Sequence, residues 1–226
     1  MKGLFITATD TDAGKTFCTS VILRGLAKRG IHCFGHKPVA SGAQWIDNRW
    51  QNDDARELQN ASALEQSYEA TNPLCFPEAI APHIAAERRH VKMTVRTIKQ
   101  NLVCSFTGDQ PRIVEGVGGW LVPINDKETF EDLAIALNFP VILVVPIKLG
   151  CLNHALLTQA RIAQTPLKFA GWIANRIDSS ADCIDENIAT LESKLDAPLL
   201  GTLPRLSHAQ WADDYIDFTI IQKLLE

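Results

Sequence analysis

The chain has 226 residues, of which 46% are hydrophobic and 21% are charged, and its formal net charge is −4. This composition predicts one globular domain spanning residues 1–226. The lysines and arginines are scattered along the chain, and this distribution argues against a nucleic-acid partner.

The cysteines and the most apolar run indicate the cellular location of the protein. The six cysteines include no Cys-x-x-Cys pair, so they favour neither a metal site nor a disulfide framework and fit a reducing cytoplasm. The first predicted strand starts within a few residues of the N-terminus, which leaves no room for a secretory signal. Residues 141–145 are apolar but far too few to cross a bilayer. We therefore expect a cytoplasmic protein with no membrane partner.

Short β-rich runs alternate with helical patterns along the chain. The predicted strands are residues 4–7, 32–36, 112–115, 141–145, 169–174 and 199–203. The predicted helices are residues 15–28, 95–106, 130–137, 154–162, 184–195 and 216–226. This alternation predicts an α/β fold with a mostly parallel central sheet and helices on both faces. Residues 44–94 have the least clear pattern, with short helical pieces and a proline-marked bend.

A short loop joins the first predicted strand to the first predicted helix and ends in Gly14-Lys15-Thr16. A strand, a tight loop and a helix in this order are typical of a phosphate-binding loop, in which backbone N–H groups converge on a phosphate. Lys15 would add a positive charge and Thr16 a hydroxyl for Mg²⁺. The strict pattern has a glycine where this chain has Thr9, so a surface turn is the alternative.

The second predicted strand leads into Lys37, and we interpret residues 38–42 as a turn fixed by Pro38 and Gly42. Lys37 alone is typical of a solvated side chain, but a second lysine facing the same rim as Lys15 fits a site of phosphoryl transfer. Asp53 and Asp54 could supply a carboxylate to that site, or could simply cap a helix.

The third predicted strand ends in Glu115, which is followed by a glycine-rich stretch, residues 116–119. A carboxylate in this position is where nucleotide-binding proteins hold Mg²⁺. The alternative is a glycine-rich hairpin or bulge with no ligand.

Two further strand ends carry polar residues. Residues 148–154 form another loop and helix start, hence a possible anion site, with Cys151 expected to be buried and His154 to be a surface or packing residue. Asn175 could hydrogen-bond a purine edge. Residues 175–178, Asn-Arg-Ile-Asp, also look like the guanine-reading motif of GTPases.

Together these blocks resemble the dethiobiotin synthetase family over essentially the whole chain. The matching pieces are Thr9-Asp10-Thr11 with Gly14-Lys15-Thr16, Lys37-Pro38-Val39-Ala40-Ser41-Gly42, Asp54, Glu115-Gly116 with Gly118-Gly119, Lys148-Leu149-Gly150-Cys151 with Asn153-His154, Gly171-Trp172 with Asn175, and Leu200-Gly201 with Pro204. Each piece is modest alone, but their joint order and spacing are specific.

The resemblance implies a P-loop NTPase-like, three-layer homodimeric enzyme that joins CO₂ to 7,8-diaminopelargonate with Mg-ATP. It implies catalytic roles for Thr11, Lys15, Lys37 and Ser41, and Mg²⁺ ligation by Thr16, Asp54 and Glu115. It implies nucleotide binding by Asp12, Ala13, Gly14, Lys15, Thr16, Phe17, Asp54, Glu115, Gly116, Val117, Gly118, Asn175, Arg176, Pro204, Arg205 and Leu206. It implies substrate binding by Ser41, Gly118, Leu149, Gly150, Cys151 and Asn153, with residues 149–153 acting in the partner subunit's site.

The chain departs from the family pattern at three places. Ala8 replaces the usual glycine, Asp12 stands where many members have glutamate, and residues 207–211 lack the acidic residue often found there for the nucleotide. The alternatives are a partitioning-type nucleotide-switch ATPase, which would carry a signature lysine at the position of Asp10, a GTP-binding protein using residues 175–178, and a catalytically dead relative.

Overall fold

The structure is a computed structural model that describes residues 2–104, 108–177, 182–206, 209 and 212–226. In chain order its strands are β1 Gly3–Ala8, β2 Phe34–His36, β3 Val39–Ser41, β4 Gln44–Ile46, β5 Arg49–Gln51, β6 Leu74–Phe76, β7 Arg112–Glu115, β8 Val141–Pro146, β9 Phe169–Asn175 and β10 Leu199–Leu203. Its helices are α1 Lys15–Lys28, α2 Asp53–Ala61, α3 Tyr68–Thr71, α4 Pro82–Arg88, α5 Val95–Cys104, α6 Phe130–Leu137, α7 Cys151–Ile162, α8 Ile184–Lys194 and α9 Phe218–Leu225, with a 3₁₀ turn at Asp213–Tyr215.

Six strands form one parallel sheet in the order β10-β9-β8-β1-β7-β2. The register pairs Ile6 of β1 with Glu115 of β7 on one side and with Ile142 of β8 on the other. Strands β2 and β7 lie on one side of β1, and the later strands β8, β9 and β10 lie on its other side, so the strand order reverses at β1. Ligands of such sheets bind outside the carboxyl ends of the strands at this reversal.

Alternate side chains of β1 enter two different cores, as the period of two of a strand requires. Leu4 and Ile6 lie in a cluster with α1 and α9, whereas Phe5 lies in a cluster with α5 and α6. A third cluster packs α7 and α8 on β8 and β9. Helices therefore cover both faces of the parallel sheet, and the predicted α/β fold class is confirmed.

Most predicted elements agree with the structure to within a few residues, and residues 15–28, 112–115, 130–137 and 199–203 agree at both ends. Three starts differ by two residues or more. Helix α7 begins at Cys151 instead of residue 154, because Gly150 adopts the left-handed conformation and ends the preceding loop. Helix α9 begins at Phe218 instead of residue 216, because Asp217 caps it by accepting from the Thr219 N–H. Strand β2 begins at Phe34 instead of residue 32. The predicted end of α5 at residue 106 lies outside the described residues.

The interpretation of residues 38–42 as a simple turn is wrong. Residues Val39–Ser41 form a short strand that pairs in parallel with Leu74–Phe76. The chain then makes an antiparallel hairpin, Gln44–Ile46 with Arg49–Gln51, turned by Asp47 and Asn48 at positive φ. Strand β3 and helix α2 thus stand on either side of this hairpin, which brings Ser41 and Asp54 near each other.

Candidate active site

The loop between β1 and α1 is shaped by Gly14, which has φ 80° and lies at the N-cap of α1. A Cβ atom at this position would lie 2.1 Å from Nδ2 of Asn175. That amide donates a hydrogen bond to the carbonyl of Ala13 at 2.9 Å. Glycine is therefore required both by the left-handed backbone and by the packing of Asn175 on the loop.

The side chain of Lys15 is buried and donates hydrogen bonds to two backbone carbonyls. The acceptors are Gly118 at 2.6 Å and Asp10 at 3.2 Å. Burial, and after it the nearby charge of Lys37, lowers the pKa of Lys15 to about 8. Because the ammonium of Lys15 is buried, an anion bound beside it would stabilise its charged form strongly.

A second buried cation, Lys37, lies between two carboxylates. Its Nζ is 2.5 Å from Oε1 of Glu115, which is fully buried, and 2.9 Å from Oδ2 of Asp54. Burial alone lowers the pKa of Lys37, but the charges of Glu115 and Asp54 outweigh it and hold this pKa above its ordinary value. Burial alone raises the pKa of Asp54, but the charge and the hydrogen bond of Lys37 outweigh burial and hold this pKa below its ordinary value.

The oxygen atoms around Lys37 have the chemistry of a magnesium site. Thr16 Oγ1 donates to Oε1 of Glu115 at 2.8 Å, and Glu115 Oε2 is buried without a hydrogen-bond partner. Among the described residues no group of three or more His, Cys, Asp and Glu side chains converges. Mg²⁺ commonly takes one or two carboxylates and completes its shell with water and substrate phosphate, so Thr16, Asp54 and Glu115 fit it.

Lys15, Thr16, Lys37 and Asp54 line one cavity of about 910 Å³ at the carboxyl end of the sheet, and Glu115 is buried behind Lys37 and Thr16. Its lining includes the predicted residues Thr11, Asp12, Ala13, Gly14, Lys15, Thr16, Lys37, Ser41, Asp54, Val117 and Gly118. Its other lining residues were not predicted as site residues: Ala40, Asn52, Ala79, Ile80, Ala81, Pro82 and Val122. The cavity lining thus combines charged and apolar residues, which suits a ligand with both kinds of surface.

Asn52 is a site residue that the sequence did not reveal. Its Nδ2 donates to the Ser41 carbonyl at 3.0 Å, and its Oδ1 accepts from the Ala55 N–H as the N-cap of α2. The available signal was an N-cap residue placed just before Asp53 and Asp54. By joining the end of β3 to the start of α2, Asn52 holds two sides of the cavity together.

Other predicted nucleotide residues lie around this cavity without lining it. Gly116 donates its N–H to the Ile6 carbonyl at 2.9 Å and continues β7. The side chain of Phe17 packs against the core of α1. Arg176 donates its backbone N–H to Leu203 at 2.9 Å, which places residues 204–206 beside the end of β9. Of these, Arg205 is exposed, and Pro204 and Leu206 are half-buried.

The predicted substrate segment, residues 149–153, lies on the surface. Leu149 is 100% exposed, whereas Cys151 is buried, as expected. Lys148, which precedes the segment, is 3.1 Å from Asp10 Oδ2, and its hydrogen bond is the main cause that lowers the pKa of Asp10. Residues 149–153 therefore do not line the cavity of their own chain, although Lys148 contacts its phosphate loop.

The departures from the family pattern are accommodated differently. Ala8 is fully buried in β1 and pairs with Val144, and it has no positive φ. Its methyl group therefore costs no backbone strain. Asp12 has φ 55° in the left-handed region, where aspartate is among the better tolerated residues. The third departure, residues 207–211, lies almost wholly outside the described residues, as does Asp178 of the guanine-type motif.

Sequence relatives decide the family. A family model described as an AAA domain matches residues 2–213. An ATP-dependent dethiobiotin synthetase BioD from Aromatoleum aromaticum is 43% identical over 208 residues, 92% of each chain. The protein of the same name from Cellvibrio japonicus is 42% identical over 220 residues, 96% of each chain. The chain belongs to the dethiobiotin synthetase family. This dethiobiotin synthetase family member thus belongs to a family of ligases, and the predicted resemblance is confirmed.

Solved structures share the fold of this dethiobiotin synthetase family member at low identity. A ParA family ATPase from Chlorobium tepidum has a TM-score of 0.57 and 14% identity, with 100% of this chain and 98% of that chain covered. The septum site-determining protein MinD from Pyrococcus horikoshii, solved with Mg-ADP, has a TM-score of 0.54 and 16% identity, with 90% and 81% covered. These likenesses support the P-loop NTPase fold. The sequence relatives favour the synthetase over the partitioning ATPase and the GTP-binding protein.

Proposed function

We propose that the protein is an ATP-dependent dethiobiotin synthetase that joins CO₂ to 7,8-diaminopelargonate and closes the ureido ring of dethiobiotin. The convergence of Lys15, Lys37, Thr16 and Asp54 on one cavity, with Glu115 buried against Lys37 and Thr16, supports this proposal most directly. Family membership supports it independently.

The proposed reaction has three steps. One amine of the substrate attacks CO₂ and loses a proton, which gives a carbamate. A carbamate oxygen attacks the γ-phosphorus of ATP, the bond to ADP breaks, and a carbamic-phosphoric anhydride forms. The second amine attacks the carbonyl carbon and loses a proton, and inorganic phosphate leaves as the ring closes.

The second step brings two anions together, and the lysines are placed to offset their repulsion. Two unit charges about 4 Å apart repel by about 4 kcal/mol at an effective dielectric constant near 20. Lys15 and Lys37 both face the cavity, so each can donate hydrogen bonds to the carbamate or to the transferring phosphoryl group. We assign Thr11 and Ser41, which line the same cavity, to hold the carbamate and the diamine.

Thr16, Asp54 and Glu115 would hold Mg²⁺, which supplies positive charge beside the phosphates when it is bound. Asp54 and Glu115 also keep Lys37 charged and oriented through their short contacts. The exchange of partners at Lys37, from these carboxylates to the carbamate, needs little movement because Lys37 itself lines the cavity.

We assign the adenine to Asn175, Arg176, Pro204, Arg205 and Leu206 at the ends of β9 and β10. Asn175 touches the phosphate loop through the Ala13 carbonyl, so base and phosphates would be bound by adjoining groups. The loop 12–17, with residues 116–118 opposite it, would hold the phosphates through backbone N–H groups.

We further propose a homodimer in which residues 149–153 of one subunit bind the substrate carboxylate in the partner's site. The backbone N–H groups at the start of α7, an α-helix of 12 residues, suit a carboxylate. Leu149 is fully exposed and Leu157, two turns into α7, is 62% exposed, a pattern typical of a surface that another chain covers.

The location of the protein is also a proposal. All six cysteines are unpaired in the structure, which fits the reducing cytoplasm expected from the sequence. Among the described residues, every helix is too short or too polar to reach across a bilayer.

The proposed activity is tested with purified protein, the diamine, bicarbonate and Mg-ATP. We expect mass spectrometry to find a product heavier than the diamine by one carbonyl group less two hydrogen atoms, with one ADP and one phosphate released for each. Nucleotide hydrolysis without this product contradicts the proposal. A strong preference for GTP over ATP would overturn the adenine assignment and leave the ring closure standing.

A further inference from the structure

The carboxylate of Glu131 is buried and contacts Trp120, which follows the glycine-rich segment, and Arg161, in the last turn of α7. Its side chain is 5% exposed. It accepts a hydrogen bond from Trp120 Nε1 at 2.6 Å, and two from Arg161, at 2.8 Å from Nε and 2.5 Å from Nη2. A buried carboxylate is costly unless it is paired and hydrogen-bonded. Glu131 also lies in the first turn of α6, where the helix dipole stabilises an anion.

Trp120 is fixed at two places and anchors the glycine-rich segment. Its ring packs edge-on against Phe5, with centroids 6.1 Å apart and planes at 82°, and its N–H is held by Glu131. Trp120 stands two residues after Gly118, whose φ is 58° and whose carbonyl accepts from Lys15. The position of that carbonyl, and with it the ammonium of Lys15, therefore depends on where Trp120 is held.

Arg161 extends the same network to α7. It lies in the last turn of the helix that starts with Cys151, and its side chain is 44% exposed. A different polar contact of α7 is made with the loop after α8: Gln159 accepts from the Asp196 N–H at 2.7 Å. The bonds of Arg161 to Glu131 thus tie α7 to the start of α6, and through Glu131 to Trp120.

We propose that Glu131 is a positioning residue for the ring closure: it holds Trp120 so that the glycine-rich segment presents the Gly118 carbonyl to Lys15, and it holds α7 through Arg161. Glu131 does not line the cavity, so it acts through these two residues. This inference rests on the proposed function, because residues 116–118 and 149–153 are used by that reaction.

Three variants test the network. Glu131→Gln keeps the size of the side chain but turns an amide N–H₂ toward the donors of Arg161. Trp120→Phe removes the indole N–H, and Arg161→Met removes the guanidinium of a side chain that is 44% exposed. We expect kcat/KM for the diamine to fall about tenfold in each. Because the residues act as one unit, the double variant Glu131→Gln/Trp120→Phe should lose much less than the product of the two single losses.

Gln159→Leu is the matched control for a purely structural effect. It breaks a buried polar contact on the same helix, so it should lower the melting temperature while kcat/KM stays within about twofold of the original protein. If Glu131→Gln and Arg161→Met lower only the melting temperature, as the control does, Glu131 has no positioning role and the proposal is overturned.

A readout without substrate separates this inference from the proposed function. The indole N–H of Trp120, assigned by its loss in Trp120→Phe, should exchange with solvent slowly in the original protein and at least about tenfold faster in Glu131→Met, whose side chain has no acceptor oxygen. Unchanged exchange overturns the anchoring of Trp120 even in an active enzyme. Absence of dethiobiotin with the original protein would instead refute the proposed function, and the exchange rates would still decide whether Glu131 holds Trp120.

Discussion

Replacement of Lys37 by methionine separates the structural and chemical roles of its ammonium. The change keeps the length of the side chain and removes a charge that is 2.5 Å from Glu115 and 2.9 Å from Asp54. Glu115 is fully buried, so it is left as an uncompensated anion. Breaking a buried ion pair from one side costs about 3–5 kcal/mol, a large part of a typical unfolding free energy of about 5–15 kcal/mol.

The magnitude is measured by urea unfolding with linear extrapolation. We expect Lys37→Met to unfold about 3–5 kcal/mol more easily, and the double variant Lys37→Met/Glu115→Gln to recover at least half of this loss, because glutamine leaves no buried charge. Thr16 can still donate to the glutamine oxygen, so the packing of α1 on β7 should survive.

Activity should not recover with stability. Removing one group that stabilises developing charge typically costs about 10²–10³-fold in kcat, and we expect this loss in both variants. In Lys37→Met the ADP affinity should change by less than about threefold. The chemical role of the Lys37 ammonium is refuted if Lys37→Met keeps its kcat, or if the double variant regains activity together with stability. Equal loss of ADP binding and product formation would make Lys37 a general phosphate anchor.

Three further changes follow from the geometry. The pKa of Lys15 is lowered to about 8, so above that pH the binding of ATP requires the uptake of a proton by Lys15. The Kd for ATP should therefore rise by up to about tenfold per pH unit. Titration calorimetry should show this rise in the original protein and not in Lys15→Met. The same lowering has an opposite effect on folding: between about pH 8 and the unfolded value of 10.5 the unfolded chain binds more protons, so the contribution of Lys15 to stability rises with pH. Gly14→Ala should weaken ADP binding at least about tenfold by pushing Asn175 from the loop. Gly30 has φ 79° and open space around it, so Gly30→Ala should leave ADP binding unchanged and lower only the melting temperature, because backbone strain costs about 1–2 kcal/mol of stability. Leu149→Asp should shift the mass found by light scattering from dimer to monomer and raise KM for the diamine; a dimer with unchanged KM would contradict the shared site.

The sequence predicted the parts of the site that depend on local pattern. Lys15 and Glu115 each follow an apolar run, and parallel strands place their carboxyl ends at one edge of the sheet, so the pattern of residues was enough to predict their proximity. The approach of Lys37 to Lys15 could be expected for the same reason, because β2 and β1 both flank β7.

Contacts between distant segments could not be predicted in the same way. Strand β3 has three residues and pairs with β6, more than thirty positions away, so its local pattern resembled a turn. The apolar lining residues Ile80 and Val122 come from two loops that carry no periodic signal. The bond from Trp120 to Glu131 depends on the backbone path between them, which a single sequence does not specify.

The transfer of oxygen from CO₂ to phosphate tests the central claim most directly. In the proposed reaction a carbamate oxygen attacks the γ-phosphorus and later leaves with it, so freshly dissolved C¹⁸O₂ should place one ¹⁸O in inorganic phosphate and one in the ureido carbonyl of dethiobiotin. Mass spectrometry of both products in a single turnover gives the answer. Phosphate that carries oxygen from water instead would contradict the attack of the carbamate on ATP in this cavity.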